Sequence, residues 1–250
     1  MINILLCGAN GKMGNAVTRV AAQQETVKIV AGYDINTQSD SFPVYDSLDA
    51  VKEKIDCIID FSHPALFDSI IEYAKVKKIP AIICTTGLSK EQVSKLEFYS
   101  KETPIFFSAN MSIGVNLIID LVCRASKILD GSFDVEIIEK HHNQKLDAPS
   151  GTALAIADAI SETVSFNPKY MFDRHSVRQK RGKDEIGIHA VRGGNIVGEH
   201  TVIFAGNDEV IEIKHAATSK EVFAVGAVRA AMFMYGKEPG LYNMTDLVKE

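Results

Sequence analysis

Residues 2–17, INILLCGANGKMGNAV, decide the fold. A mostly apolar run of strand length ends at Gly8, and KMGNAVTRVAAQQ (12–24) then carries Met13, Val17 and Val20 at helical spacing. Between them lies GANGKMG, with glycines at 8, 11 and 14. A strand, a glycine turn and a helix start form the geometry in which backbone N–H groups and the helix dipole receive a pyrophosphate. Gly8 then permits the tight turn, Gly11 the close approach of phosphate, and Gly14 close helix–sheet packing. Asp34 closes a second strand-like run, VKIVAGYD (27–34). A carboxylate there accepts hydrogen bonds from an adenosine ribose. The bland alternative is a structural βαβ turn with a surface aspartate.

Outward from that turn, short apolar runs alternate with helical patterns. IDCIIDFS (55–62), PAIICTTG (80–87) and PIFFSAN (104–110) read as strands. PALFDSIIEYAKVKK (64–78) reads as an amphipathic helix, and SKEQVSKLEFYSKE (89–102) as another with Ser89 as its N-cap. Continuous apolar strands separated by helices predict an α/β fold, a Rossmann-type doubly wound parallel sheet covered on both faces. The pattern then changes. GVNLIIDLVCRASKIL (114–129) is a long, mostly apolar helix, FDVEIIEKHH (133–142) begins as a strand, and 185–216 alternates strand-like runs with RGGN and GNDE turns. That predicts a second α+β domain with a mixed or antiparallel sheet. A last helical stretch, SKEVFAVGAVRAAMFMYGK (219–237), can return to either domain.

The composition narrows the class. With 46% hydrophobic and 24% charged residues the chain reads as globular, and its net charge of -5 argues against a nucleic-acid partner. Cys7, Cys57, Cys84 and Cys123 form no C-x-x-C pair, so no metal or dithiol site is expected, and buried reduced thiols are the economical account. The first residues carry no signal-peptide pattern and no apolar run reaches roughly 18 residues. A cytoplasmic protein with no membrane partner is the expectation. One basic stretch, RHSVRQKRGK (174–183), is either a solvated loop or a mobile basic lip near an anionic ligand.

A second cluster lies at 136–161, EIIEKHHNQKLDAPSGTALAIADAIS. Adjacent His141 and His142 leave a strand on opposite faces, which suits two roles better than one metal. Lys145 supplies a cation, and Ser150, Gly151 and Thr152 open a helix with N–H groups and hydroxyls for an anion. Together these suit a carboxylate substrate beside a proton donor. A capped helix after a charged loop is the alternative. Thr85 and Thr86 after one predicted strand, and Asn110 after another, offer hydroxyls and an amide to a ribose or carboxamide, or else simply line loops.

The motifs GANGKMG, DFSHP, TTGL, FFSANMSIGVN, EIIEKHHNQKLDAPSGTA and IGIHAVRGGNIVGEH stand in the order found in the 4-hydroxy-tetrahydrodipicolinate (dihydrodipicolinate) reductase family, which the chain resembles from about residue 2 to its last helix. The E-x-H-H-x-x-K-x-D-x-P-S-G-T block is the specific part; the glycine loop alone is not. That family acts in diaminopimelate and lysine biosynthesis, reducing a cyclic imine dicarboxylate with loss of water. The resemblance implies His141 as proton donor or acceptor, Lys145 as proton donor, and His142 with Gly151 and Thr152 at the substrate. It also matches Gly8, Ala9, Asn10, Gly11, Lys12, Met13 and Gly14 to cofactor contacts. Asp34, Cys84, Thr85, Thr86, Ser108, Ala109, Asn110 and Met111 match further ones. Cys84 stands where the family usually has glycine, a change that a backbone contact survives.

The resemblance further implies a dinucleotide-binding domain of residues 1–112 and 220–250, a substrate-binding and oligomerisation domain of 113–219, and a homotetramer. Cofactor and substrate then lie on different domains, and hinge closure is expected to assemble the site. The residues favour NADH: the Asp34 carboxylate repels a 2′-phosphate, and Ile35 follows it where an arginine could have received one. Lys12 is the cation through which NADPH is admitted. Two rivals remain. Another nicotinamide-dependent enzyme, such as an aspartate or homoserine dehydrogenase, shares the glycine loop but not H-H-x-x-K with PSGT. A non-catalytic dinucleotide sensor needs no titratable cluster at all.

Overall fold

Strand β1 (Ile2–Cys7) is buried along almost its whole length, which places it at the centre of a sheet covered on both faces. Its residues divide strictly by parity. Ile2, Ile4 and Leu6 enter one apolar core, and Leu5 and Cys7 enter the other. The structure, a computed structural model, describes all of residues 1–250, in two units: Met1–Ile113 with Glu221–Glu250, and Gly114–Lys220.

In the first unit β1 is followed by α1 (Lys12–Ala21), β2 (Val27–Tyr33), β3 (Val44–Tyr45), β4 (Cys57–Asp60), α2 (Phe67–Lys77), β5 (Ala81–Ile83), α3 (Lys90–Tyr99) and β6 (Pro104–Phe107). Ser89 caps α3 in a full capping box with Gln92, as its position before the helical run predicts. The second unit holds α4 (Ile113–Leu129, which starts at the boundary), β7 (Asp134–His141), α5 (Gly151–Ser161), β8 (Lys169–Met171), β9 (Glu185–Arg192), β10 (Gly198–Ala205) and β11 (Val210–Ala217). The chain then returns to the first unit with α6 (Glu221–Met234), β12 (Gly240–Tyr242) and α7 (Met244–Lys249).

The seven strands of the first sheet run parallel in the order β12-β6-β5-β4-β1-β2-β3. From β1 the chain winds out through β2 and β3, then returns to β4 on the other side of β1. The switch point therefore lies between β1 and β4, where open α/β sheets hold their ligands at the carboxyl ends. Helix α6 packs with α1 on one face; α2 and α3 cover the other. Gly226 permits that docking, because a Cβ there would stand 1.7 Å from the Met111 carbonyl oxygen.

The second sheet is mixed: β11, β10 and β7 pair antiparallel, while β7, β9 and β8 pair parallel, in the order β11-β10-β7-β9-β8. Unlike β1, β7 alternates buried and half-buried residues, since one face alone packs on α4 and α5 through Val135, Ile137, Ile156 and Ile160.

Strands β3, β8 and β12 and helix α7 were not anticipated. The three strands have two or three residues each, too short to show a period. Cys7, Cys57 and Cys84 are buried as expected, whereas Cys123 is half-buried. The basic stretch 174–183 departs from the mobile-lip reading. Arg181 donates to Asp134, Glu136 and the carbonyls of Val135, Gly182 and Glu185, and Arg174 pairs with Glu185. Its two anchoring arginines brace β7 and β9. No helix is long and apolar enough to cross a membrane.

Candidate active site

The glycine loop has the tight turn and the close helix packing that its spacing predicts. Gly8 has φ +75°, and a Cβ on it would lie 2.6 Å from the Phe61 carbonyl oxygen, so the turns after β1 and β4 abut at the switch point. A Cβ on Gly14 would meet the carbonyl oxygens of Gly8 and Ala9 at 2.2 and 2.3 Å, whereas one on Gly11 would meet only the Gly8 oxygen, at 3.2 Å. Gly11 occupies the N-cap of α1, and no side chain covers the opening N–H groups. With no acidic residue in its first turn and Lys12 exposed, α1 presents bare donors to an anion. This cradle fits the pyrophosphate of a pyridine nucleotide.

Asp34 is tied to the same loop. Its carboxylate accepts the Asn10 N–H at 2.9 Å and the Asn36 N–H at 3.1 Å, and the Asn10 amide reaches back to the carbonyls of Asn36 and Gln38. Ile35 beside it is 93% exposed.

Next to the loop lies a cleft of about 330 Å³, lined by Met13, Phe61, Ser62, Cys84, Thr85, Thr86, Ala109, Asn110, Met111 and Phe223. The cleft thus joins Met13, 84–86 and 109–111 with Phe61 and Ser62 of the DFSHP motif and with Phe223, none of which was read as a site residue. Thr85 departs from its expected role: its hydroxyl is buried and donates to Asp60 at 2.7 Å, so the exposed Thr86 is the hydroxyl on offer. Ser108 bonds within its own turn, to the Asn110 carbonyl. Asp60, fully buried at the end of β4, also accepts the Ser62 N–H. Burial pushes its carboxyl above the usual range, against the pull of the Ser62 and Thr85 hydrogen bonds.

In the second unit a network of buried charge stands where the sequence showed only H-H-x-x-K. His141, buried at the end of β7, is 2.7 Å through Nδ1 from Oε2 of Glu139, two residues earlier on the same face. Glu139 is buried too, and receives both Nη atoms of Arg192 at 2.7 Å and the Ser150 N–H at 2.9 Å. Burial alone would raise the Glu139 carboxyl, but the Arg192 fork, His141 and the Ser150 N–H outweigh it and hold it below its ordinary range. Lys145 makes a 2.7 Å ion pair with Asp147, and that bond holds the exposed Asp147 carboxyl low. His142, on the opposite side of the strand end, is half-buried.

Ser150 is a correction. As N-cap of α5 its hydroxyl accepts the Ala153 N–H and meets His200 Nε2 at 3.1 Å, while its N–H goes to Glu139. Both polar groups are used inside the fold, and Ser150 itself is buried. Gly151, the first residue of α5, is exposed, with open space where a Cβ would stand, and its N–H helps to hold the Asp147 carboxyl low; Thr152 beside it is half-buried.

Sequence reasoning also missed Glu139, Arg192 and His200. Glu139 had a signal, since residues i and i+2 of a strand share a face. Arg192 and His200 stand in the IGIHAVRGGNIVGEH motif, but nothing local in it points to His141; register with β9 and β10 brings them in. His200 stacks edge-to-face on His141 with centroids 5.3 Å apart. Burial first, and neighbouring His141 second, lower its pKa to about 4, so it is neutral at physiological pH.

Family models for the N-terminus and the C-terminus of dihydrodipicolinate reductase match residues 2–111 and 114–248. The chain belongs to the dihydrodipicolinate reductase family. The 4-hydroxy-tetrahydrodipicolinate reductase of Caldanaerobacter subterraneus subsp. tengcongensis is 53% identical over 250 residues, covering 100% of this chain and 99% of that protein. Its counterpart in Clostridium tetani is 51% identical over 245 residues, covering 98% and 96%. Among solved structures, the dipicolinate-bound dihydrodipicolinate reductase from Paenisporosarcina sp. TG-14 superposes with a TM-score of 0.79 at 25% identity, covering 97% of each chain. This dihydrodipicolinate reductase family member is thus an oxidoreductase, with the doubly wound parallel sheet and second mixed sheet expected of it.

Proposed function

We propose that the chain reduces 4-hydroxy-tetrahydrodipicolinate to tetrahydrodipicolinate, with loss of water, in the lysine and diaminopimelate pathway. The observation that carries this reading is the His141–Glu139–Arg192 network beside Lys145 in a chain both of whose halves match the family. A sensor would have no use for such a cluster. A bound pyridine nucleotide supplies the hydride. As electron density builds on the substrate ring, the Lys145 ammonium stabilises it and delivers a proton. His141 serves as the proton donor or acceptor beside it. Gly151 and Thr152 hold one carboxylate at the start of α5, with His142 assisting.

In this reading residues 1–112 with 220–250 bind the nucleotide, through 8–14, Asp34, 84–86 and 108–111, and residues 113–219 bind substrate. NADH is the preferred cofactor. The Asp34 carboxylate, held by the Asn10 and Asn36 N–H groups after β2, would repel a 2′-phosphate on an adenosine ribose bound there, and exposed Ile35 offers that phosphate no cation. Lys12 alone speaks for NADPH. The chain assembles as a homotetramer through its second unit, where α4 and α5 cover one face of the sheet and leave Ile138, Val191 and Ile203 on the other.

The test is oxidation of NADH and of NADPH with substrate made in place by its synthase from pyruvate and aspartate semialdehyde. Synthase-dependent oxidation, faster with NADH, is expected. Tight NADH binding without oxidation would leave the sensor. Light scattering on the eluting protein should give four copies, and a monomer would remove the assembly.

A further inference from the structure

Glu139 is fully buried and Arg192 largely so, and the side-chain bonds they make lead to His141 and, through Asp147, to Lys145. The Glu139 carboxylate is an acceptor only, so the Nδ1 it meets must carry the proton. That leaves Nε2 as the nitrogen through which His141 can pass a proton. Gly198 keeps it clear, since a Cβ there would stand 3.0 Å from Nε2. Arg192 Nη2, besides gripping Glu139, donates to the Asp147 carbonyl at 2.6 Å, and the Asp147 carboxylate holds Lys145 at 2.7 Å. The turn after Arg192 is tied back in the same way: Gly193 N–H to the His141 carbonyl, and Asn143 N–H to the Gly194 carbonyl.

We propose that Arg192 and Glu139 are the positioning residues of the reaction: one guanidinium fixes the His141 tautomer through Glu139 and the reach of Lys145 through Asp147. This rests on the reductase reading, with His141 and Lys145 as its proton-handling groups. The planar fork of arginine is required, because the two Glu139 oxygens are met at 2.7 Å from two separate nitrogens, one of which also reaches the Asp147 carbonyl, and a lysine has one nitrogen to place. The charged and titratable groups around His141 are Glu139, Arg192, His200 and Lys145.

The experiment compares Glu139→Gln and Arg192→Lys with the wild type by two readouts. Steady-state kinetics should show kcat reduced at least tenfold in both variants, with the NADH dissociation constant within twofold. Imidazole nitrogen spectra of 15N-histidine-labelled protein, with His141 assigned by difference against His141→Asn, should show one Nδ1–H tautomer in the wild type and a mixture in Glu139→Gln. Guanidinium added to Arg192→Ala should restore part of the lost turnover. Were that variant to fail to fold, the other two still decide. In Glu139→Gln, unchanged kcat, or lost turnover with the tautomer intact, overturns the proposal. If the wild type shows no synthase-dependent oxidation, the reductase reading falls, and the nitrogen spectra alone decide the positioning of His141.

Discussion

The two sites of this chain are built from opposite materials. The cradle in the first unit is made of backbone: bare N–H groups at the start of α1, glycines that let carbonyls approach, and one aspartate pinned by two main-chain donors. The cluster in the second unit is made of side chains, with a buried carboxylate, a guanidinium fork and two histidines held by one another. A backbone site depends on absence, so adding one methyl group destroys it. A side-chain site depends on partners, so removing one atom pair unbalances it. The difference is also electrostatic: Lys12 is the only charged group in the glycine loop, whereas the cluster concentrates buried charge whose pairing must be complete.

Substitutions can break or sharpen that contrast. The largest effect is expected for Gly14→Ala, whose Cβ would overlap two carbonyl oxygens at 2.2 and 2.3 Å. A loss of about 4 kcal/mol of stability, or of folding outright, should follow. A wild-type melting midpoint with NADH binding retained would contradict the account of the cradle.

Next comes the pH dependence from His200. Its folded pKa, lowered to about 4, lies below the unfolded value of about 6.5, so its contribution is complete above pH 6.5. As pH falls from 6.5 to 4 the unfolded chain takes up a proton that the folded chain refuses, at a cost of about 3 kcal/mol, and below 4 the term is flat. His200→Gln should flatten the dependence of denaturation free energy on pH across that window. The carboxylates held low, Glu136 and Glu139 among them, lose stability only as pH drops through the acid range below their ordinary values. An unchanged slope in His200→Gln would show that another group titrates there.

Lys145→Ala should lower kcat about 100-fold, or about 2.7 kcal/mol, with the NADH affinity kept. Near-normal turnover in that variant would remove the lysine from the chemistry. The smallest effect is expected for Gly151→Ala, where an added Cβ meets nothing within 4 Å. Stability should change by about 0.5 kcal/mol or less. A large loss would mean that the start of α5 is as crowded as the start of α1.

The same contrast explains what could be read in advance. The glycine spacing, Asp34 at the end of β2 and the apolar alternation of β1 were legible because each is a local, periodic property of a strand or helix. His141, Lys145 and the start of α5 were legible through titratable chemistry packed into a few residues. The inward turn of Ser150 and Thr85 was not, because nothing in a serine or threonine says which way its hydroxyl points until a partner such as His200 or Asp60 is placed beside it.

By itself the sequence determined a doubly wound α/β unit with a glycine turn between its first strand and helix, and a second unit carrying two histidines and a lysine before the helix that Ser150 caps. Those features are written in the periods of 2 and 3.6 residues and in the conformational freedom of glycine. The helical period left α6 free to join either unit, and its docking in the first, like the closing of Arg192 and His200 around His141, belongs to the tertiary structure. These depend on strand register and helix docking, which couple residues about 50 apart and carry no signature in any short stretch of chain.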